Sequence, residues 1–118
     1  MMLKMSMRHL GGITVLDCFG RIIFGEETAA LRDEVKKILA ENRSVILNLA
    51  GVNYIDSGGL GTLVSLYSIA KASGSTMKLA NLTPRVGDLL QVTKLVTVFD
   101  VYEDEGQAIE SLRRTAAA

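Results

Sequence analysis

The 118 residues include 13 basic and 13 acidic side chains, a formal net charge of zero, and 48% of them are apolar. That supports one packed domain and excludes a disordered chain, and the neutral balance lacks the cationic footprint of a nucleic-acid binder. No apolar run reaches the roughly 18 residues of a membrane span. The start, Leu3-Lys4-Met5-Ser6-Met7-Arg8, alternates in character instead of forming a leader peptide. A cytoplasmic protein without direct membrane insertion is expected. One cysteine, Cys18, and one histidine, His9, provide neither an internal disulfide nor a zinc constellation. Cys18 lies in an apolar segment and reads as a small buried hydrophobe.

Residues 3–9 place Leu3, Met5 and Met7 on one face and Lys4, Ser6 and Arg8 on the other, the period of a half-buried strand. Gly11-Gly12 offers the positive φ angles of a tight turn, and residues 13–19 form the partner strand of an antiparallel hairpin near a sheet edge. Residues 20–25, with a glycine at each end, read as a loop with the apolar centre Ile22-Ile23-Phe24. A helix follows over 26–42, with Leu31, Val35, Ile38 and Leu39 on one face and Asn42 as its stop. Glu26 and Glu27 precede Lys36 and Lys37, which matches the helix dipole.

Residues 44–49 are short, β-branched and continuously apolar, the pattern of a strand buried on both faces. The helix before it is a crossover, so the pairing is parallel. A second helix is expected over 60–73, with Leu60, Leu63, Val64 and Tyr67 inward and Gly74 closing it. A strand over 76–82 follows, with Met77, Leu79 and Ala80 in the core. Then come a short helix from Pro84 to Val92 capped by Thr83, a strand over 96–101 and a helix over 103–115. Val86, Leu89 and Leu90 face inward on the short helix, and Ala108, Ile109 and Leu112 on the last one; the terminal alanines fray. The fold class is therefore α/β: one domain over residues 1–118, core about 3–115, with a mixed sheet of about five strands and about four packed helices.

Between the third strand and the second helix lies Asn53-Tyr54-Ile55-Asp56-Ser57-Gly58-Gly59-Leu60-Gly61. A helix start offers free backbone N–H groups and the positive end of the dipole, which suit an anion. Enzyme chemistry fits poorly. A nucleophile elbow needs glycine two residues before the serine, where Ile55 stands, and His9 is too isolated on the first strand to serve as a base. Gly59-Leu60-Gly61 begins like a dinucleotide fingerprint, but Val64 replaces the third glycine and the later acid is missing; no phosphate-binding loop is present. No catalytic residue, metal or cofactor is expected. Two readings remain for Asp56-Ser57-Gly58-Gly59. Either Asp56 or Ser57 caps the next helix and the glycines make a turn, or the glycines leave the Ser57 hydroxyl open to a protein kinase.

These residues carry a resemblance. Val45-Ile46-Leu47-Asn48-Leu49 followed by Tyr54-Ile55-Asp56-Ser57-Gly58-Gly59-Leu60-Gly61 is similar to the STAS domain of bacterial anti-sigma factor antagonists, with its Asp-Ser-(Ser/Gly/Ala)-Gly-Leu core. The order of elements agrees over nearly the whole chain. The resemblance implies a non-catalytic protein that binds an anti-sigma factor serine kinase and so frees a sigma factor. It implies that the kinase phosphorylates Ser57 to end binding and that a serine phosphatase restores it. The implied partner-binding set is Asp56, Ser57, Gly58, Gly59 and Leu60 with Arg21, Ile23 and Phe24, on a monomer or weak homodimer. Relatives often carry Gly-x-Leu-Asp at the end of the second strand. Here the run is Gly20-Arg21-Ile22-Ile23, so Ile23 replaces the acid and Arg21 adds a positive charge. That departure leaves open a different kinase partner or a member that is not phosphorylated. The alternative implied role is a STAS scaffold or regulatory subunit of a stress-signalling complex or a lipid-transport ATPase. In that role Ile22-Ile23-Phe24 is a permanent contact and Ser57 only a cap.

Overall fold

The computed structural model describes residues 1–41 and 43–117. Among them are five strands and four α-helices: β1 (Leu3–Leu10), β2 (Ile13–Ile22), α1 (Glu26–Ala40), β3 (Ser44–Ile55), α2 (Ser57–Ala72), β4 (Met77–Ala80), α3 (Pro84–Val92), β5 (Asp100–Tyr102) and α4 (Glu105–Ala117), plus a 3-10 turn at Leu95–Thr97. They build one mixed sheet in the order β1-β2-β3-β4-β5. β1 pairs antiparallel with β2, and the other neighbours pair in parallel. The expected hairpin is thus an edge unit, and each helical crossover returns the chain to a parallel neighbour. Only Gly11 of the Gly11-Gly12 turn takes a positive φ.

The apolar run at the start of β3 is explained by the two faces of the sheet. Val45, Leu47 and Leu49 enter the main core with Leu31, Val35 and Ile38 of α1, Leu63 and Leu66 of α2 and Leu90 of α3. Ile46 points the other way, into a smaller cluster with Val15, Ala80, and Ala108 and Leu112 of α4. Side chains alternate across a strand, so a strand covered on both faces must be apolar throughout. Full burial of each such aliphatic side chain contributes about 1.5–3 kcal/mol. The expected inward residues of α1, α2, α3 and α4 all reach one of these clusters, Val64, Tyr67, Leu89 and Ile109 only partly buried.

Several boundaries differ from the sequence expectation. β2 does not stop at Phe19 but continues through Gly20-Arg21-Ile22, which pair with Val52, Tyr54 and Ile55 of β3. Gly20 there is not a loop glycine. Its φ of 117° sits at a β-irregularity, and the carbonyl of Met2 approaches where a side chain would project; Arg21 donates its N–H to that carbonyl at 2.8 Å. β3 likewise runs six residues past Leu49, because the extended β2 pairs with Gly51, Val52, Tyr54 and Ile55 across two register shifts. Gly51 leaves room for the Phe19 ring.

α2 starts at Ser57 instead of Leu60. The expected strand over 76–82 contracts to Met77–Ala80, ended by Asn81 with φ 58°. Lys78, not anticipated in the interior, is 8% exposed and donates to the Tyr102 hydroxyl at 2.9 Å. The last strand is not 96–101. Residues Leu95–Thr97 form a 3-10 turn, Phe99 buries against Tyr67 edge-to-face with centroids 5.7 Å apart, and only Asp100–Tyr102 pair with β4. α3 and its Thr83 cap fall as expected, with Thr83 Oγ1 accepting from Val86 N. α1 ends at Ala40 and is capped by Glu41; the proposed stop, Asn42, lies outside the described residues, as does Ala118 of the terminal alanines. α4 begins two residues late, at Glu105, where Asp104 Oδ1 accepts from Gln107 N at 2.8 Å. No described helix is long and apolar enough to cross a membrane.

Candidate functional site

The parallel strands β2 and β3 end together, Ile22 beside Ile55, and both chains then turn towards helices. Asp56 caps α2 and ties these two exits together. Its Oδ1 accepts from Gly59 N at 2.7 Å and its Oδ2 from Phe24 N at 3.1 Å. Asp56 N donates to the Ile22 carbonyl at 3.3 Å. The bond from Gly59 N and then that from Phe24 N hold the Asp56 carboxyl below its ordinary range, because both favour the ionised form. A carboxylate so engaged is a structural acceptor and a poor general base.

Ser57 occupies the first turn of α2 and is exposed. Its hydroxyl has no hydrogen-bond partner among the described residues. The cap is therefore Asp56, and Ser57 takes no part in it. The glycines around it serve packing. A side chain at Gly58 would meet the Phe24 Cβ at 2.6 Å, and one at Gly59 would run into the Ile22 carbonyl. Gly61, by contrast, faces open space. Gly59 and Leu60 are buried, so they shape the junction from beneath. Ile23 is half-buried, with its carbonyl accepting from Thr28 N. Phe24 projects into solvent at 80% exposure, lying over Gly58. Phe24, Asp56, Ser57 and Gly58 thus come together at one surface, and Arg21 stands beside Tyr54 in the β2–β3 pairing one step back.

The sequence reading passed over α3 as anything but a core helix. Its outer row flanks the same junction: the Arg85 guanidinium lies 5.6 Å from the centre of the Tyr54 ring, and a cleft of about 270 Å³ is lined by Arg21, Asn53, Tyr54 and Arg85. The spacing of Arg85, Leu89 and Val92 was a visible signal for that second face. Elsewhere, His9 pairs with Thr14 Oγ1 at 3.0 Å. Cys18 is buried and its thiol is pushed up to about 12, chiefly by desolvation, then by Asp17.

The STAS-domain family model matches residues 4–108. An anti-sigma F factor antagonist of Paenibacillus polymyxa is 23% identical over 114 residues, covering 95% of this chain and 97% of that one. The crystal structure of an anti-sigma factor antagonist from Mycobacterium paratuberculosis superposes with a TM-score of 0.80 at 21% identity, over 94% of each chain. The antagonist SpoIIAA superposes in its unphosphorylated form with a TM-score of 0.71 at 17% identity, over 93% of this chain and 98% of that one. Its phosphorylated form, from Bacillus, gives 0.69 at 17% identity, over 92% and 99%. With a continuous family match over most of its length and the same five-stranded mixed architecture, this chain is a member of the STAS-domain family.

Proposed function

We propose that this protein is an anti-sigma factor antagonist that binds an anti-sigma factor serine kinase, frees a sigma factor, and is switched off when Ser57 is phosphorylated. The carrying observation is the exposed Ser57 hydroxyl without a partner, beside an Asp56 carboxylate already committed to two backbone N–H groups. Such a serine is acted upon; it does not act, so the protein is non-catalytic. A phosphate there adds about 1.5–2 negative charges. With Asp56 this puts about three on the docking surface, which repels a docked partner and raises its desolvation cost. The α2 N-terminus tolerates the added anion, so the fold need not change. The similar superposition on both forms of SpoIIAA supports a switch in surface potential without refolding. Ile23 in place of an acid removes one carboxylate from the docking surface and suits a kinase that also meets Arg21. A serine phosphatase would restore binding, and the site of action is the cytoplasm.

The test is intact-mass analysis after incubation with the cognate kinase and ATP. One added phosphate, absent from Ser57→Ala, is expected; none, or one elsewhere, sinks the switch. Ser57→Asp should weaken anti-sigma binding by about tenfold or more while Ser57→Ala binds normally. Equal affinities would remove the charge mechanism. Co-purification with a transporter subunit would replace this reading with that of a regulatory subunit.

A further inference from the structure

The most unusual surface outside the serine itself is the cleft between the end of β3 and α3. It has a volume of about 270 Å³ and is lined by Tyr54, Ile55, Val86, Leu89 and Val92, with Arg85 and Asp88 also in its wall. Val92 is 81% exposed and Tyr54 40% exposed, although both could have been polar without cost to the core. A second, polar cleft, completed by Arg21 and Asn53, shares Tyr54 and Arg85 with the first. Among the described residues neither Arg21 nor Arg85 has a carboxylate within salt-bridge distance. In a chain of zero net charge, the two unpaired guanidiniums of Arg21 and Arg85 outweigh the single carboxylate of Asp88 along these two clefts and leave a local positive excess.

We propose that this groove docks an amphipathic helix of the partner, with its apolar ridge on Leu89, Val92 and Tyr54 and its carboxylates on Arg21 and Arg85. Arg85, Leu89 and Val92 recur at helical spacing along α3, so a partner ridge of matching spacing can lie beside them. The planar guanidiniums suit bidentate carboxylate recognition, and Arg85 is already oriented by the Tyr54 ring. A second copy of this chain is the poorer occupant. A two-fold contact through the same groove would bring arginine against arginine. Tyr54 lies three residues before Ser57, so a helix seated here reaches the β3–α2 junction. A phosphate on Ser57 would then face the carboxylates of the docked helix.

The groove follows from this chain's geometry; naming its occupant as part of the anti-sigma factor rests on the antagonist reading. Titration calorimetry with the purified cognate anti-sigma factor compares wild type, Arg85→Glu, Val92→Asp and the control Lys36→Glu on α1. Arg85 and Val92 are exposed, so both variants are expected to fold, which circular dichroism verifies. Each should weaken binding about tenfold or more, with a shallower salt dependence for Arg85→Glu, while Lys36→Glu stays within about twofold. Wild-type binding with both groove variants unaffected overturns the groove and leaves the antagonist reading standing. Loss in Arg85→Glu alone overturns the amphipathic occupant, and loss in Val92→Asp alone overturns its acidic end. No binding by the wild type overturns both readings.

Discussion

The same substitution two residues apart on α2 should have opposite effects. Gly59 is the third residue of the helix, pressed against the end of β2. A methyl group there would collide with the Ile22 carbonyl and lie 2.8 Å from Ile55 Cγ2. The carbonyl cannot simply turn aside, because it accepts from Asp56 N. The first turn of α2 must therefore move off the sheet. Overpacking costs about 1–3 kcal/mol, and the gain of about 1 kcal/mol from replacing a helical glycine offsets part of it. With a backbone atom as the obstacle, Gly59→Ala should destabilise by about 1–2 kcal/mol. At Gly61 nothing lies within 4 Å of the added methyl, so Gly61→Ala should stabilise by about 0.5–1 kcal/mol. In urea melts with a slope of about 1.5 kcal/mol per M, the midpoint should fall by about 0.7–1.3 M for the first and rise by about 0.5 M for the second. If Gly59→Ala melts with the wild type, the close approach of Ile22 to α2 does not constrain the junction; if Gly61→Ala melts below the wild type, the position is not open.

Asp56 has a depressed folded-state carboxyl, so its contribution to stability is complete above the ordinary aspartate range and lost as pH falls through the lower folded value. The midpoint difference between wild type and Asp56→Asn should hold near neutrality and shrink below pH about 4; a constant difference down to pH about 2 would contradict the two-bond cap. Cys18, buried with its thiol pushed up to about 12, should ignore a disulfide reagent at pH 8 in the native protein and react at once in urea; rapid native labelling would show that β2 opens. Leu63→Ala, at a fully buried site in the main core, should cost about 2–5 kcal/mol in the same melts. A loss below about 1 kcal/mol would mean that α2 packs differently.

What this sequence determined by itself is its pattern of elements. The alternation in β1, the continuous apolar run of Val45–Leu49, the inward stripes of α1 to α4 and the Thr83-Pro84 helix start are local signals. Hydrophobic periodicity and cap chemistry are written in neighbouring residues. The Asp56-Ser57 junction was legible in the same way, down to Asp56 as one candidate cap. What only the tertiary structure decided are features in which distant segments meet. Gly20 and Gly51 are residues that commonly end strands, yet β2 and β3 run through them because each strand supplies the other's partners. In the sequence Gly58 and Gly59 read as glycines that uncover Ser57, whereas Phe24 and Ile22, more than thirty residues earlier, are what require them. The second carboxylate bond of Asp56 to Phe24, and the meeting of Arg21, Tyr54 and Arg85, likewise join residues that no local window contains. Backbone pairing and close contact are properties of the assembled sheet, so they override propensities that act over only a few residues.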